Sequence, residues 1–226
     1  MEKYYPVILV FIAAILMLWF YRRLLKASEA DWGKPWMNAL DGLVRLFVCR
    51  IHRAKLDSIP LPEHGPALLV SNHVSGLDPL LMVAASRRPL RFIIATEQYE
   101  RFGFKWLFRA ARCIPVDRTH RPERALRHAR SALRRGEVVA LFPHGKIHLD
   151  TDPPRKLKRG FLKLSQWGEV PVYPCRIEGV KGQGHTILAL LMRGEPSLNS
   201  CPETVCPDDE TECLNYVTAC IDGRDS

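Results

Sequence analysis

Apolar positions change their spacing several times along the 226 residues, and each change marks an element. Residues 4–21 (YYPVILVFIAAILMLWFY) pass without a charge; as a helix rising about 1.5 Å per residue they span roughly 27 Å, close to the thickness of a bilayer's hydrocarbon. Arg22, Arg23 and Lys26 follow where a cleavable leader would carry small residues, so residues 1–26 read as a retained anchor. After a polar connector, helical spacing resumes over 36–51, with Leu40, Leu43, Val44, Phe47 and Ile51 on one stripe and Arg45 and Arg50 off it. Such an amphipathic helix suits a bilayer surface and core packing equally. Residues 60–66 (PLPEHGP) are turn-rich. Behind them come a buried strand over 67–71, a helix over 80–85, a strand over 91–95, a helix over 122–135 opened by Pro122, and strands over 138–142 and 171–177. The alternation predicts an α/β fold: a mixed, largely parallel sheet flanked by helices, with its site at strand ends. The organisation expected is an anchor over 1–26, a connector and amphipathic helix over 27–59, one catalytic or binding unit over 60–200, and a tail over 201–226.

Composition leaves that picture intact, since 47% hydrophobic and 25% charged residues fit a globular chain. Charge refines it. The net +9 is uneven, because residues 201–226 hold seven acids against the single base Arg224, which leaves the first 200 residues at +15. A body that basic attracts nucleic acid, anionic lipid or a phosphorylated carrier such as coenzyme A. The apolar amino terminus and the lack of any nucleic-acid-binding signature turn the reading to lipid. Three bases after the anchor against Lys3 before it place the body on the cytoplasmic side, single-pass or monotopic. In that reducing compartment seven cysteines predict no disulfide framework, and Cys201, Cys206, Cys213 and Cys220 in the tail lack a tight C-x-x-C pair for zinc.

Chemistry concentrates where the buried strand runs out, at Ser71-Asn72-His73-Val74-Ser75-Gly76-Leu77-Asp78-Pro79. A histidine there can take a proton near neutral pH, and an aspartate five residues on can return to fix its tautomer. The alternative is a structural histidine, with Asp78 capping the helix that Pro79 opens.

Three later segments complete a pattern. Cys113-Ile114-Pro115-Val116-Asp117-Arg118, Leu141-Phe142-Pro143-His144-Gly145 and Val170-Pro171-Val172-Tyr173-Pro174-Cys175 follow the N-H-x4-D-P block in order. Together these four blocks resemble the glycerolipid acyltransferases, typified by 1-acylglycerol-3-phosphate acyltransferases, over roughly residues 67–179. The resemblance implies direct transfer of a fatty acyl group from acyl-CoA or acyl carrier protein to a lysolipid hydroxyl, foremost 1-acylglycerol-3-phosphate to give phosphatidate, without a cofactor or metal. It makes His73 the general base and Asp78 its orienter, with Ser75 a residue of the turn. It sets Arg118 at the acceptor's phosphate and Gly145 where the acceptor or donor approaches the backbone, with the altered positions His144 and Lys146 also in the substrate-binding set. In the third block the family's Glu is His144, its Thr is Lys146 and its Arg is Ile147, which opens the acceptor to another lysolipid, or the chain to a non-catalytic lipid- or carrier-binding role. His144, His148 and Asp150 lack what a metal site needs. The basic run Arg155, Lys156, Lys158 and Arg159 suits the phosphates of coenzyme A, an acidic carrier protein or an anionic membrane surface.

Overall fold

The computed structural model describes residues 5–101, 103–119, 122–206 and 210–223. The uncharged run forms α1 (Tyr5–Ala27), whose residues Val7–Ala27 are long and apolar enough to cross a membrane and lie almost entirely uncovered by protein. Pro35 opens α2 (Pro35–Leu46), because its fixed φ suits a first turn, and a π-helical turn, Phe47–Ile51, continues it.

The buried face of α2 differs from the apolar stripe. Met37, Ala39, Asp41, Gly42 and Arg45 turn inward, whereas Leu43 and Ile51 stay exposed. The neighbour explains the difference. Arg45 donates from Nε to Asp41 Oδ2 at 2.9 Å and from its terminal nitrogens to the carbonyls of Ala84 and Ser86, at the end of α3 (Asp78–Ala85). The last carbonyls of a helix have no partner within it, and a buried guanidinium supplies one. Hydrophobic periodicity carries no trace of that demand.

Among the described residues seven strands form one sheet, ordered β1-β7-β6-β2-β5-β3-β4. They are β1 (Lys55–Leu56), β2 (Ala67–Ser71), β3 (Leu90–Ala95), β4 (Ile114–Val116), β5 (Val138–Leu141), β6 (Val172–Glu178) and β7 (Ser197–Ser200). Every pairing is parallel except β6 with β7, so the mixed, largely parallel sheet expected from the alternation is present. Successive residues of the central strands feed opposite faces. Ala67 and Leu69 of β2 join Leu81, Met82 and Ala85 of α3 on one side. Leu68 and Val70 join the other side, which α6 (Pro122–Arg134), α7 (Gly160–Gln166) and α9 (Glu210–Asp222) cover. The short helices α4 (Thr96–Tyr99), α5 (Lys105–Ala110) and α8 (Leu188–Leu191) complete the connections.

The tail corrects a second expectation. Cys206 and Cys213 form a disulfide, with Cα atoms 5.1 Å apart and both residues buried. Compartment reasoning treats cysteines as a population. Here α9 lays Cys213, Val217 and Ile221 into the core beside α7, and that packing brings the pair together.

Candidate active site

β2 ends between β5 and β6, so the chain leaves the sheet at its centre, where α/β sheets place their sites. Asn72 fixes the exit. Its amide nitrogen donates to the Ile177 carbonyl and its Oδ1 accepts from the Ile177 N–H, both at 2.8 Å, so a side chain prolongs the β2–β6 ladder by one step. His73 follows. Its ring stacks on Phe142, the residue after β5, with centroids 4.1 Å apart, and its carbonyl accepts from the His148 N–H at 2.7 Å.

Asp78 closes the turn from the first position of α3. Its Oδ2 accepts from His73 Nδ1 at 2.8 Å, Val74 N–H at 2.6 Å and Ser75 N–H at 2.8 Å, while Oδ1 accepts from Ser75 Oγ at 2.6 Å. The carboxylate is fully buried and its donors all come from the turn before α3, so Asp78 orients the turn and the imidazole and does not cap the helix. Because a carboxylate only accepts, the proton of this bond sits on Nδ1 and leaves Nε2 with a lone pair. The His73 side chain keeps 19% of its surface open to solvent. Ser75 is fully buried, its hydroxyl engaged by Asp78 and by the Leu77 N–H at 3.1 Å, which closes it to a role as nucleophile. Gly76 is required by contact: a Cβ there would stand 2.0 Å from the Thr186 carbonyl oxygen, in the segment that covers the turn.

The second and third blocks meet beside this dyad. Arg118, beyond the end of β4, donates from Nη1 to the Gly145 carbonyl and stands 3.7 Å from Glu97. Asp117 is engaged with Thr119 instead, so Arg118 faces the third block. Gly145 takes a left-handed φ of +75° and donates its N–H to Phe142 at 2.9 Å, which binds the turn to the residue under His73.

Lys146 is exposed and makes no ion pair among the described residues. His144, expected at the acceptor, is buried on the inner side of the loop. It stacks on His148 at 4.6 Å, lies 3.6 Å from Asp222 of α9, and among the described residues has no hydrogen-bond partner for either ring nitrogen. Burial, only partly offset by Asp222, holds its pKa below the ordinary histidine range. Asp150 pairs with Arg176 at 3.1 Å, and the carboxylate beside His148 is that of Asp152, at 3.5 Å.

The basic run divides. All four residues are exposed, but Arg159 reaches Glu210 at 3.4 Å and Lys158 turns back over Gly145.

A histidine held by a buried aspartate at the end of a central strand, with cations gathered one turn away, accompanies a match of residues 52–178 to the family described as Acyltransferase. The chain belongs to the acyltransferase family. It is 33% identical over 125 residues to a probable 1-acyl-sn-glycerol-3-phosphate acyltransferase of Mycoplasma genitalium, covering 52% of this chain and 46% of that protein. It is 32% identical over 113 residues to an N-acylphosphatidylethanolamine synthase of Arabidopsis thaliana, covering 46% and 40% respectively. The chain spans about half the length of the curated relatives it matches. Its fold is shared with the 1-acyl-sn-glycerophosphate acyltransferase PlsC of Thermotoga maritima, at a TM-score of 0.66 and 22% identity over 85% of this chain and 80% of that one.

Sequence reasoning located His73 and Asp78 but assigned no role to Asn72 or Phe142. Phe142 lay within the quoted third block, and a parallel strand next to β2 puts its last residue beside β2's own.

Proposed function

We propose that this acyltransferase moves a fatty acyl group from acyl-CoA or acyl carrier protein to the free hydroxyl of 1-acylglycerol-3-phosphate, giving phosphatidate. The observation that carries the reading is the His73–Asp78 pair at 2.8 Å, with Nε2 left free to accept. In the reaction the acceptor hydroxyl gives its proton to His73 Nε2 as its oxygen attacks the thioester carbonyl. Asp78 steadies the imidazolium that forms, the C–S bond breaks, and the departing thiolate takes that proton from His73 Nε2, leaving the imidazole neutral again. No acyl-enzyme forms, in keeping with the engaged hydroxyl of Ser75. A thioester is already activated, so most of the remaining demand is the positioning of two amphiphiles. The exposed apolar helix α1 supports work at a membrane.

Full-length protein in detergent, given radiolabelled acyl-CoA and lysophosphatidate, is expected to form labelled phosphatidate. His73→Ala is expected to lower the rate by about 10²- to 10⁴-fold. Equal product from both proteins overturns the reading. The altered third block, with Ile147 where the family carries Arg, favours a second reading with another lysolipid as acceptor. Product from lysophosphatidylglycerol or lysophosphatidylethanolamine, and none from lysophosphatidate, selects it.

A further inference from the structure

Gly145 is approached by cations from two directions. Arg118 comes from the end of β4 and donates to its carbonyl. Lys158 comes from the segment leading into α7, its own N–H held by the Pro143 carbonyl at 3.0 Å. The Lys158 amine lies 2.6 Å from where a Cβ on residue 145 would stand, and two carbons of its side chain lie 2.8 and 3.3 Å from that point. Only a glycine leaves that place for the lysine.

The gathering is electrostatically unmatched. Lys158 and Arg155 pair with no carboxylate among the described residues, and Arg118 meets only the exposed Glu97 at 3.7 Å. Although Lys158 is an exposed residue, partial desolvation of its amine against Gly145, then Arg118 and Arg155, lower its affinity for its own proton. Like charges held together oppose one another unless an anion supplies the missing charge. The site lies one tight turn from the dyad, since Gly145 bonds to Phe142 and Phe142 stacks on His73.

We propose that Lys158 is the residue by which this chain selects its acceptor: with Arg118 it seats a dianionic phosphomonoester, replacing the charge the third block lacks at Ile147. The inference rests on the acyltransferase reading and narrows it to an acceptor whose phosphate is terminal. A phosphomonoester near neutral pH carries close to two charges, and a diester headgroup carries one and has no open end for the two cations to meet. It also moves Lys158 out of the donor segment suggested by the sequence.

The test uses full-length protein in detergent. Lys158→Gln is expected to raise KM for lysophosphatidate about tenfold or more while kcat stays within about threefold, the signature of lost uniform binding. Lys158→Arg restores KM, Lys163→Gln on the exposed side of α7 leaves it unchanged, and KM for acyl-CoA is the same in all. Calorimetry with sn-glycerol 3-phosphate reads the same site without turnover, and Lys158→Gln is expected to weaken binding about tenfold. If the wild type acylates lysophosphatidate and Lys158→Gln shows the same KM, or a raised KM for acyl-CoA instead, the inference fails and the acyltransferase reading stands. If the wild type acylates no lysolipid, that reading fails. The calorimetry then decides on Lys158 alone, equal affinities for sn-glycerol 3-phosphate overturning the proposal.

Discussion

Asp78 shows how tightly a single residue is specified. Four donors from three residues converge on a carboxylate with no exposed surface, so an amide of the same shape must turn one NH₂ group toward donors and leave at least one unpaired. Asp78→Asn is expected to lower acyl transfer by about 10²- to 10⁴-fold through the lost tautomer and to destabilise the fold by about 1–3 kcal/mol through the unmatched donors. Rate assays and urea midpoints in one detergent measure the two effects. Ser75→Ala removes one donor and is expected to cost a few-fold in rate, whereas a nucleophile would lose nearly everything. The dyad was legible in the sequence because its members lie five residues apart across one turn, a distance that spacing alone can judge. Asn72 with Ile177, and Lys158 with Gly145, were not. Those pairs are set by strand order and by a returning segment, and nothing in the local pattern encodes them.

Secondary-structure elements divide along the same line. The central strands were readable as apolar runs because both of their faces are buried, as the unbroken burial of β2 and β5 shows. The strands toward one side of the sheet were not: β1, at the edge, has two residues, and β7 beside it reads Ser-Leu-Asn-Ser, with only Leu198 buried. In α9, Cys213, Val217 and Ile221 recur every four residues and so carried a helical signal, overshadowed by the acidic charge of the tail. The clearest element-scale consequence is the tie between α2 and α3. Removing Arg45 strands the buried carboxylate of Asp41, leaving the Trp32 indole N–H and the Glu29 N–H, each at 3.2 Å, as its neutral partners, and frees the carbonyls that end α3. Arg45→Met is therefore expected to destabilise the protein by about 3–5 kcal/mol. Arg45→Met combined with Asp41→Leu should recover a large part of that loss, because no uncompensated charge stays buried. Thermal unfolding of both variants beside the wild type measures it, and equal losses would show that the charge of Asp41 is not the cause.

At the scale of the whole molecule, the carboxyl-terminal helix and the loop after β5 share an ionisable contact. Asp222, in the last turn of α9, faces His144, and Arg176 secures the same end of the helix by donating to the Ile221 carbonyl at 2.7 Å. His144 is held neutral by burial, the largest influence on it; Asp222 favours its charged form, while His148, Arg155 and His73 oppose it. The unfolded chain therefore takes up a proton on this residue near pH 6.5, before the folded protein does. Over that window the unfolded state binds more protons, so stability is full above the ordinary histidine value and declines as pH falls through it toward the lower folded value. His144→Gln keeps a polar side chain and cannot titrate, so its unfolding midpoint should depend less steeply on pH between about 7.5 and 5.5 than that of the wild type. Urea titrations of the two proteins across that range measure the difference. Parallel curves would mean that His144 gains its proton as readily in the folded loop as in the unfolded chain, and that burial beneath α9 imposes no penalty on its charge.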